Sequence, residues 1–474
     1  MKILHIGTEM TPLARTGGLG DVLEALPVAL AAHGHEVSVV LPCYRGLRAQ
    51  ARDTGVKLTV PVGGTAVRAE VWECRAPNGV QVFLVRADGY FDRAGLYGEE
   101  GRDYEDGAAR FVFFAKAAVE LARRIVPAPD ILHVHDWQAA LVPVLVRERR
   151  LPFKTVLTIH NLAYQGSFGA GDFGLTNLPG EYFSARGVEF FGRLNLLKGG
   201  LLFADALTTV SERYAREIVT PEQGSGLDAV VREHAGKLVG ILNGADYAIW
   251  NPATDARLPE RFSPTALAGK RACRDALLAA CGLEPEPGGP VLAIVSRLAE
   301  QKGIDLLLPL LDRLLADDVR LVILGEGDPA YERELFIASK RHAGRFAYRQ
   351  GMEETLAHLA YAGADAFLVP SHFEPCGLGA MYALKYGTLP IARATGGLYE
   401  TIRDYDPVNE SGHGFLFYDF TPEALWDAMM RAKRHFADPA CWRALMQRAM
   451  GCDFSWAKAV PGYEGVYRRV MVGK

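Results

Sequence analysis

The stretch Arg320-Leu-Val-Ile-Leu-Gly325-Glu326-Gly327-Asp328-Pro329-Ala330 places a short apolar run, a glycine-rich turn and a proline-opened helical pattern in series. An unbroken apolar run of this length reads as a strand covered on both faces. Glycine allows the sharp turn that follows, and Pro329 has the fixed φ that suits a first helical position. Strand, Gly-x-Gly-x-x-Ala and helix together form the context of a nucleotide-binding Rossmann unit. The pattern alone does not separate NAD from a nucleotide sugar. The acidic residue expected after the next strand is not cleanly placed, because Gln350 and Gly351 precede Glu353 and Glu354. A tight turn without a ligand is the competing reading.

The same alternation runs through the rest of the chain. Strand candidates in the first half are Lys2–Ile6, Glu36–Leu41, Val80–Val85, Ile131–Val134, Thr155–Ile159 and Ala206–Val210. Those in the second half are Val291–Val295, Arg320–Leu324, Arg345–Tyr348, Ala366–Val369 and Leu389–Ala392. Helical patterns such as Gly20–His33, Ala108–Ile125 and Pro329–His342 lie between them. The expected fold is α/β, with two Rossmann-like, doubly wound parallel-sheet domains facing a central cleft at the carboxyl ends of their strands. The proline-bearing stretch Asn243–Pro264 separates an expected first domain, 1–242, from a second, 243–454. A further loop, 284–290, leads into Val291–Val295. Thr-Gly-Gly-Leu occurs at 16–19 and again at 395–398, and whether both line one cleft stays open.

Composition narrows the function classes. The chain has 474 residues, 49% hydrophobic and 23% charged, which excludes a disordered chain or a fibre. Lys plus Arg is 52 and Asp plus Glu is 56, so the net charge of −4 offers no field for nucleic acid or an anionic membrane. Neither partner is expected, and the oligomeric state is not encoded legibly. The seven cysteines are odd in number and include no Cys-x-x-Cys, which suggests no disulfide framework, no zinc site and a reducing compartment. No apolar run reaches the roughly 18 residues of a membrane span. The start, Met1–Gly7, meets Glu9 and Pro12 too soon for a signal peptide and reads as the first buried strand of a cytoplasmic protein.

Four loops carry candidate chemistry. In Arg15-Thr16-Gly17-Gly18-Leu19-Gly20-Asp21, glycines can turn N–H groups toward an anion at a helix start, and Arg15 adds a permanent cation. In Ser296-Arg297-Leu-Ala-Glu-Gln301-Lys302-Gly303, two cations five residues apart can converge on one diphosphate, against the reading of a solvated loop. In Pro370-Ser-His-Phe-Glu374-Pro375-Cys376-Gly377, Glu374 can hold sugar hydroxyls, and the N–H groups of Cys376 and Gly377 can face an anion. The Cys376 thiol itself reads as a small buried side chain. The fourth set is His133-Val-His135-Asp136-Trp137 with Thr158-Ile-His160-Asn161. His133 and His135 alternate like metal ligands, but no third ligand stands at useful spacing, so no metal is expected. Asp404-Tyr405-Asp406 looks like a metal–diphosphate Asp-x-Asp and reads as chance.

Taken together these motifs resemble the bacterial glycogen synthase and plant starch synthase family, from residue 1 to about 470. The resemblance rests on Thr16-Gly-Gly-Leu-Gly-Asp-Val22, Phe91-Asp-Arg-Ala-Gly-Leu-Tyr97-Gly98, His133-Val-His-Asp-Trp137 and Thr158-Ile-His-Asn-Leu-Ala-Tyr-Gln-Gly166. Asn195-Leu-Leu-Lys-Gly-Gly200, Leu242-Asn-Gly-Ala-Asp246, Ser296-Arg-Leu298, Gln301-Lys-Gly303, Phe373-Glu-Pro-Cys-Gly-Leu378 and Thr395-Gly-Gly-Leu398 extend it through both halves. It implies a GT-B fold and a cytoplasmic, metal-independent enzyme without a cofactor. It also implies retaining transfer of glucose from ADP-glucose to the non-reducing 4-hydroxyl of an α-1,4-glucan. Its partners would then be a nucleotide sugar and a glucan.

By that likeness the catalytic set is Asp136, His160, Arg297, Lys302 and Glu374. Donor binding would fall to Arg15, Gly17, Gly18, Asn243, Gly327, Met352, Cys376 and Gly377, and acceptor binding to Asp21, Tyr97 and His135. A final helix, within 455–474, would return to the first domain. The chain departs from the family at Arg15, usually Lys, and at Met352, usually an adenine-stacking Tyr. It also departs at His372, usually Arg, and at Gly379-Ala380, often Thr-Gln. These changes touch donor affinity and the choice of ADP or UDP. Three other readings compete: a GT-B transferase with another acceptor, an NAD-dependent oxidoreductase, and a catalytically dead glucan-binding protein.

Overall fold

Two sheets organise the protein, and the chain divides between them after Gly244 and after Ser455. The structure is a computed structural model that describes residues 1–99, 101–285 and 288–473. Glu286 and Pro287 of the loop at 284–290 therefore lie outside the described residues. The first unit joins Met1–Gly244 to the C-terminal segment from Trp456. Its main sheet contains β1 (Lys2–Ile6), β2 (Glu36–Pro42), β3 (Arg52–Val62), β4 (Thr65–Arg75) and β5 (Gln81–Arg86). It continues with β6 (Ile131–His135), β7 (Lys154–Ile159), β8 (Ala206–Thr209) and β9 (Leu238–Gly240). The spatial order is β9-β8-β7-β6-β1-β2-β5-β4-β3.

Strands β9 to β5 in that order run parallel, and β3 and β4 add an antiparallel edge. The expected parallel sheet is present, and this antiparallel edge extends it. Toward its end β3 buries only alternate residues, Leu58, Val60 and Val62, as a strand with one wet face must. The final helix, Trp456–Val472, packs Trp456, Val460, Tyr463 and Tyr467 with Ile3, Ile131 and Val156 of this sheet.

The second unit, Ala245–Ser455, holds β10 (Val291–Val295), β11 (Arg320–Gly325), β12 (Phe346–Gln350), β13 (Ala366–Val369), β14 (Leu389–Arg393) and β15 (Phe415–Phe417). All pair in parallel, in the order β12-β11-β10-β13-β14-β15. Every residue of β11 is buried, which explains its unbroken apolar sequence. Helix Pro329–Arg341 starts after β11 because Pro329 fits its first position and the Asp328 carboxylate accepts from Ala330 N–H.

Each sheet reverses its direction of growth once, and such a switch point opens a crevice at the carboxyl ends of the strands. In the first unit it lies between β1 and β6, and in the second between β10 and β13. The loops after those four strands contain Glu9 and Arg15–Gly18, Asp136, Arg297–Lys302, and Glu374–Gly377 respectively.

Buried lysines tie helices together around this frame. Lys270 donates to Ala362 O at 2.9 Å, Tyr386 O at 3.0 Å and Thr388 Oγ1 at 2.8 Å. Ala362 and Tyr386 end the helices Glu354–Gly363 and Leu378–Lys385, so one ammonium satisfies two helix C-termini. Replacement Lys270→Met keeps the volume but strands those acceptors. It should destabilise the protein by about 3 kcal/mol in chemical denaturation; a loss below about 0.5 kcal/mol would contradict this role.

Candidate active site

In the first unit Glu9 is the organising residue of the glycine-rich loop. It is buried, and its carboxylate accepts from Thr16 N at 2.7 Å, Thr16 Oγ1 at 2.8 Å, Gly17 N at 2.9 Å and Tyr97 Oη at 2.7 Å. The N–H groups of Thr16 and Gly17 thus point at a carboxylate of the chain itself. Gly18 and Leu19 open the helix Gly18–Ala32 beyond them. Arg15 pairs with Asp21 at 3.1 Å, and Thr11 Oγ1 also donates to Asp21. The sequence reading misses Glu9 as a functional residue, although an acid three residues past a buried strand was a usable signal.

Asp136 follows β6 with φ of 55°, a left-handed conformation that a non-glycine residue adopts at a cost. Its Oδ1 accepts from the backbone N–H of His160 at 2.7 Å, which ties the end of β6 to the end of β7. Burial pushes its carboxyl up to about 7, opposed by the N–H groups of His160 and Asn161 and reinforced by the charge of Glu9.

Beside it His135 bonds to His160 (Nδ1···Nε2, 2.9 Å) and to His5 (Nε2···Nδ1, 2.9 Å). Burial lowers the pKa of His5 and His160 to about 3, and that of His135 well below the usual imidazole range. His5, from β1, supplies the third imidazole that sequence spacing does not reveal, and His5, His133 and His135 offer nitrogens within 4.8 Å of one another. Those nitrogens are engaged in hydrogen bonds, His133 with Tyr467 Oη and Thr158 Oγ1, and only His5 Nε2 lacks a partner. Asn243 is buried after β9, and its Oδ1 has no partner.

In the second unit Lys302 Nζ meets Glu374 Oε2 at 2.6 Å, and Ser371 Oγ donates to the same oxygen at 2.9 Å. Arg297 is exposed just beyond the carboxyl end of β10. The Gln301–Lys302 turn is held to the loop after β13 by His372 N to Gln301 O and by Gln301 Nε2 to Phe373 O. Gly303 is required there, since a Cβ would sit 2.0 Å from Pro370 O. Cys376 is buried and not in a disulfide, and Gly377, at φ of 83°, caps the helix Leu378–Lys385.

The second Thr-Gly-Gly-Leu packs against this loop. Gly397 N donates to Glu374 O at 3.0 Å, and a Cβ on Gly397 would lie 1.9 Å from Cys376 O. In the Gly-x-Gly turn, Gly327 N donates to Glu332 Oε1, and a Cβ on Gly327 would lie 2.2 Å from Leu298 O. Met352 is exposed beyond β12. Asp404 pairs with Arg431, and Asp406 accepts from Val408 and Asn409 within its own turn.

The structure therefore gathers Arg15, Gly17, Asp21 and Tyr97 around Glu9 and its loop, and His135, Asp136 and His160 at the ends of β6 and β7. It gathers Lys302, Glu374, Cys376 and Gly377 in the second unit.

Two Rossmann-like units with charged groups on the loops at their switch points describe a glycosyltransferase of the GT-B class. Residues 2–233 match the family described as starch synthase catalytic domain, and residues 283–435 match glycosyl transferases group 1. A glycogen synthase from Anaeromyxobacter sp. (strain Fw109-5) is 47% identical over 476 residues, covering 99% of both chains. One from Opitutus terrae is 45% identical over 481 residues, covering 99% of this chain and 100% of its own. The catalytic domain of starch synthase IV from Arabidopsis thaliana, solved with ADP and acarbose, superposes with a TM-score of 0.91 at 33% identity and 99% coverage of both chains. A sucrose-phosphate synthase from Thermosynechococcus elongatus, at 20% identity and a TM-score of 0.64, shares the fold. The chain belongs to the glycogen and starch synthase family.

Two predictions test the site. Asp136 holds two N–H groups best as a carboxylate, so kcat should rise with pH through an apparent pKa near 7. Asp136→Asn should remove that limb and lower kcat by about 10²-fold; an unchanged pH profile in the variant would refute the assignment. Gly397→Ala should displace the Glu374–Cys376 backbone, costing about 2 kcal/mol and more than roughly tenfold in turnover. Gly465→Ala, where a Cβ meets open space in a helix, should stabilise by about 0.5 kcal/mol and leave turnover intact.

Proposed function

We propose that this protein elongates glycogen by transferring glucose from ADP-glucose to the non-reducing 4-hydroxyl of an α-1,4-glucan, with retention at the anomeric carbon. The observation that carries the proposal is the full-length likeness to proteins named glycogen synthase and to a starch synthase domain solved with ADP and acarbose. The work is assigned to the cytoplasm. All seven cysteines are free, and among the described residues no helix is long and apolar enough to cross a membrane.

The chemistry asks for groups that stabilise a departing nucleoside diphosphate as its negative charge grows. Arg297, Lys302 and the helix starts at Gly18 and Gly377 are assigned that work, with no metal required. A fixed donor of this kind typically supplies roughly 3–4 kcal/mol. Both bonds to Glu374 fall on Oε2, which leaves Oε1 for the sugar's 3- and 4-hydroxyls. His160 is assigned to the 6-hydroxyl, Arg15, Gly17, Asn243, Gly327, Met352 and Cys376 to the rest of the donor, and Asp21, Tyr97 and His135 to the acceptor side. Met352 can pack against a base without stacking, and adenine remains the assigned base.

Retention through a glycosidase-like double displacement would need a carboxylate nucleophile about 5 Å from its acid. Front-face attack, in which the leaving phosphate oxygen takes the acceptor proton, is the mechanism assigned. Trapping a glucosyl–carboxylate ester on the chain would overturn it. The oxidoreductase alternative fares poorly, because it offers no use for Arg297, Lys302 and Glu374.

Purified enzyme with glycogen primer should release ADP from ADP-glucose faster than UDP from UDP-glucose, and chelation with EDTA should not change the rate. Arg297→Ala and Lys302→Ala should each lower kcat by roughly 10²–10³-fold. Release of neither nucleotide would sink the proposal.

A further inference from the structure

We propose that His5 and His135 are positioning residues that force His160 to present its outward-facing Nδ1 as an N–H donor. The three rings form one chain, with His5 Nδ1 against His135 Nε2 and His135 Nδ1 against His160 Nε2, both at 2.9 Å. His5 and His135 are wholly buried, and His160 is half-buried at the end of β7.

A neutral imidazole carries one proton and one lone pair. Each of the two hydrogen bonds needs one of each. If His5 carries its proton on Nδ1, His135 must accept at Nε2 and therefore donate from Nδ1. His160 must then accept at Nε2 and carry its own proton on Nδ1. The opposite choice at His5 reverses all three rings together. The rings thus share one tautomer, and a residue two rings away decides whether His160 offers its ligand a donor or an acceptor.

The far end of the chain selects the direction. His5 Nε2 is buried without any hydrogen-bond partner. A proton there would be an orphaned N–H, among the rarest groups in protein interiors, whereas a bare ring nitrogen leaves only a lone pair unmatched. The proton therefore sits on His5 Nδ1, and the polarity runs outward to His160. Burial keeps all three rings neutral and so preserves the bookkeeping. The groups packed nearby do not interrupt it, because His133 is saturated by Tyr467 and Thr158, and Asp136 takes the His160 backbone N–H rather than the ring.

What the donor meets rests on the transferase reading, in which it would give a hydrogen bond to a hydroxyl oxygen of the transferred glucose. The tautomer itself is independent of that reading and is measured without substrate. Long-range ¹H–¹⁵N spectra of the full chain, labelled at histidine and assigned with His5→Gln and His160→Ala, report each ring's protonated nitrogen. His5, His135 and His160 should all be Nδ1–H. Rings of unlike tautomer, or three Nε2–H rings, would overturn the proposal. His5→Gln can still donate to His135 and should leave His160 as it is. His5→Met leaves His135 Nε2 unpartnered, and the penalty on an orphaned N–H there should keep His160 as it is; His5→Glu, whose carboxylate accepts from His135 Nε2, should instead turn His135 and His160 to Nε2–H, with kcat down about tenfold, the size of one ordinary hydrogen bond. If the glutamate variant does not fold, the wild-type spectrum alone decides. Absence of ADP release by the wild type would instead defeat the transferase reading and leave the tautomer result standing.

Discussion

Backbone carbonyls that meet glycines at less than side-chain distance fix the geometry of the second unit. Parallel strands deliver their loops to one end of the sheet, and there the loops crowd. The turn after β10 lies against the loops after β11 and β13, and the loop after β13 lies against the one after β14. At each of these contacts a glycine faces a carbonyl within about 2 Å of where its Cβ would stand. Such packing has little slack, so Arg297, Lys302 and Glu374 are carried on loops that brace one another. Rigid support of this kind keeps charged groups oriented before a ligand arrives.

The protein also satisfies its anion-seeking groups with its own carboxylates. Glu9 takes Thr16 and Gly17, Glu332 takes Gly327, and Glu374 takes Lys302. These pairings differ in how easily they give way. Glu9 accepts four hydrogen bonds while buried and is a permanent part of the loop. The Arg15–Asp21 pair is a single contact with the arginine side chain 43% exposed, a kind of ion pair worth at most about 1 kcal/mol. Phosphate can therefore recruit Arg15 more readily than it can displace Glu9 from the N–H groups of Thr16 and Gly17.

This contrast explains what the sequence made legible. Unbroken apolar runs are dictated by burial on both faces, so eleven parallel strands were readable to within one or two residues, while the three-residue strands β9 and β15 went unread. Glycine-rich loops were readable as places of close approach, but the partner was hidden. For Gly397 it is the Cys376 carbonyl, and for Gly327 it is Leu298. The hairpin of β3 and β4 went unread because a half-exposed edge has a weaker apolar signature. His5 and Glu9 were passed over as site residues for a different reason. Each gains its role only from a neighbour brought in by strand order, His135 across β1 and β6, and Tyr97 from a loop 88 residues away.

Burial does opposite things to the two kinds of titratable group at the end of the first sheet. It strips charge from the imidazoles, which then act as a directed hydrogen-bond chain. It raises Asp136 to about 7, yet the N–H groups of His160 and Asn161 restrain that rise. The end of the first sheet thus sets the Asp136 carboxyl beside uncharged rings, while the second unit carries Arg297 and Lys302 on its own loops. On the proposed reaction the separating fragments take opposite signs, with positive character growing on the sugar and negative on the diphosphate. Neutral histidines matter to that arrangement, because an imidazolium beside Asp136 would cancel the acidic side of it. On the proposed reaction the depth of His5 and His135 thus serves the chemistry as well as the packing.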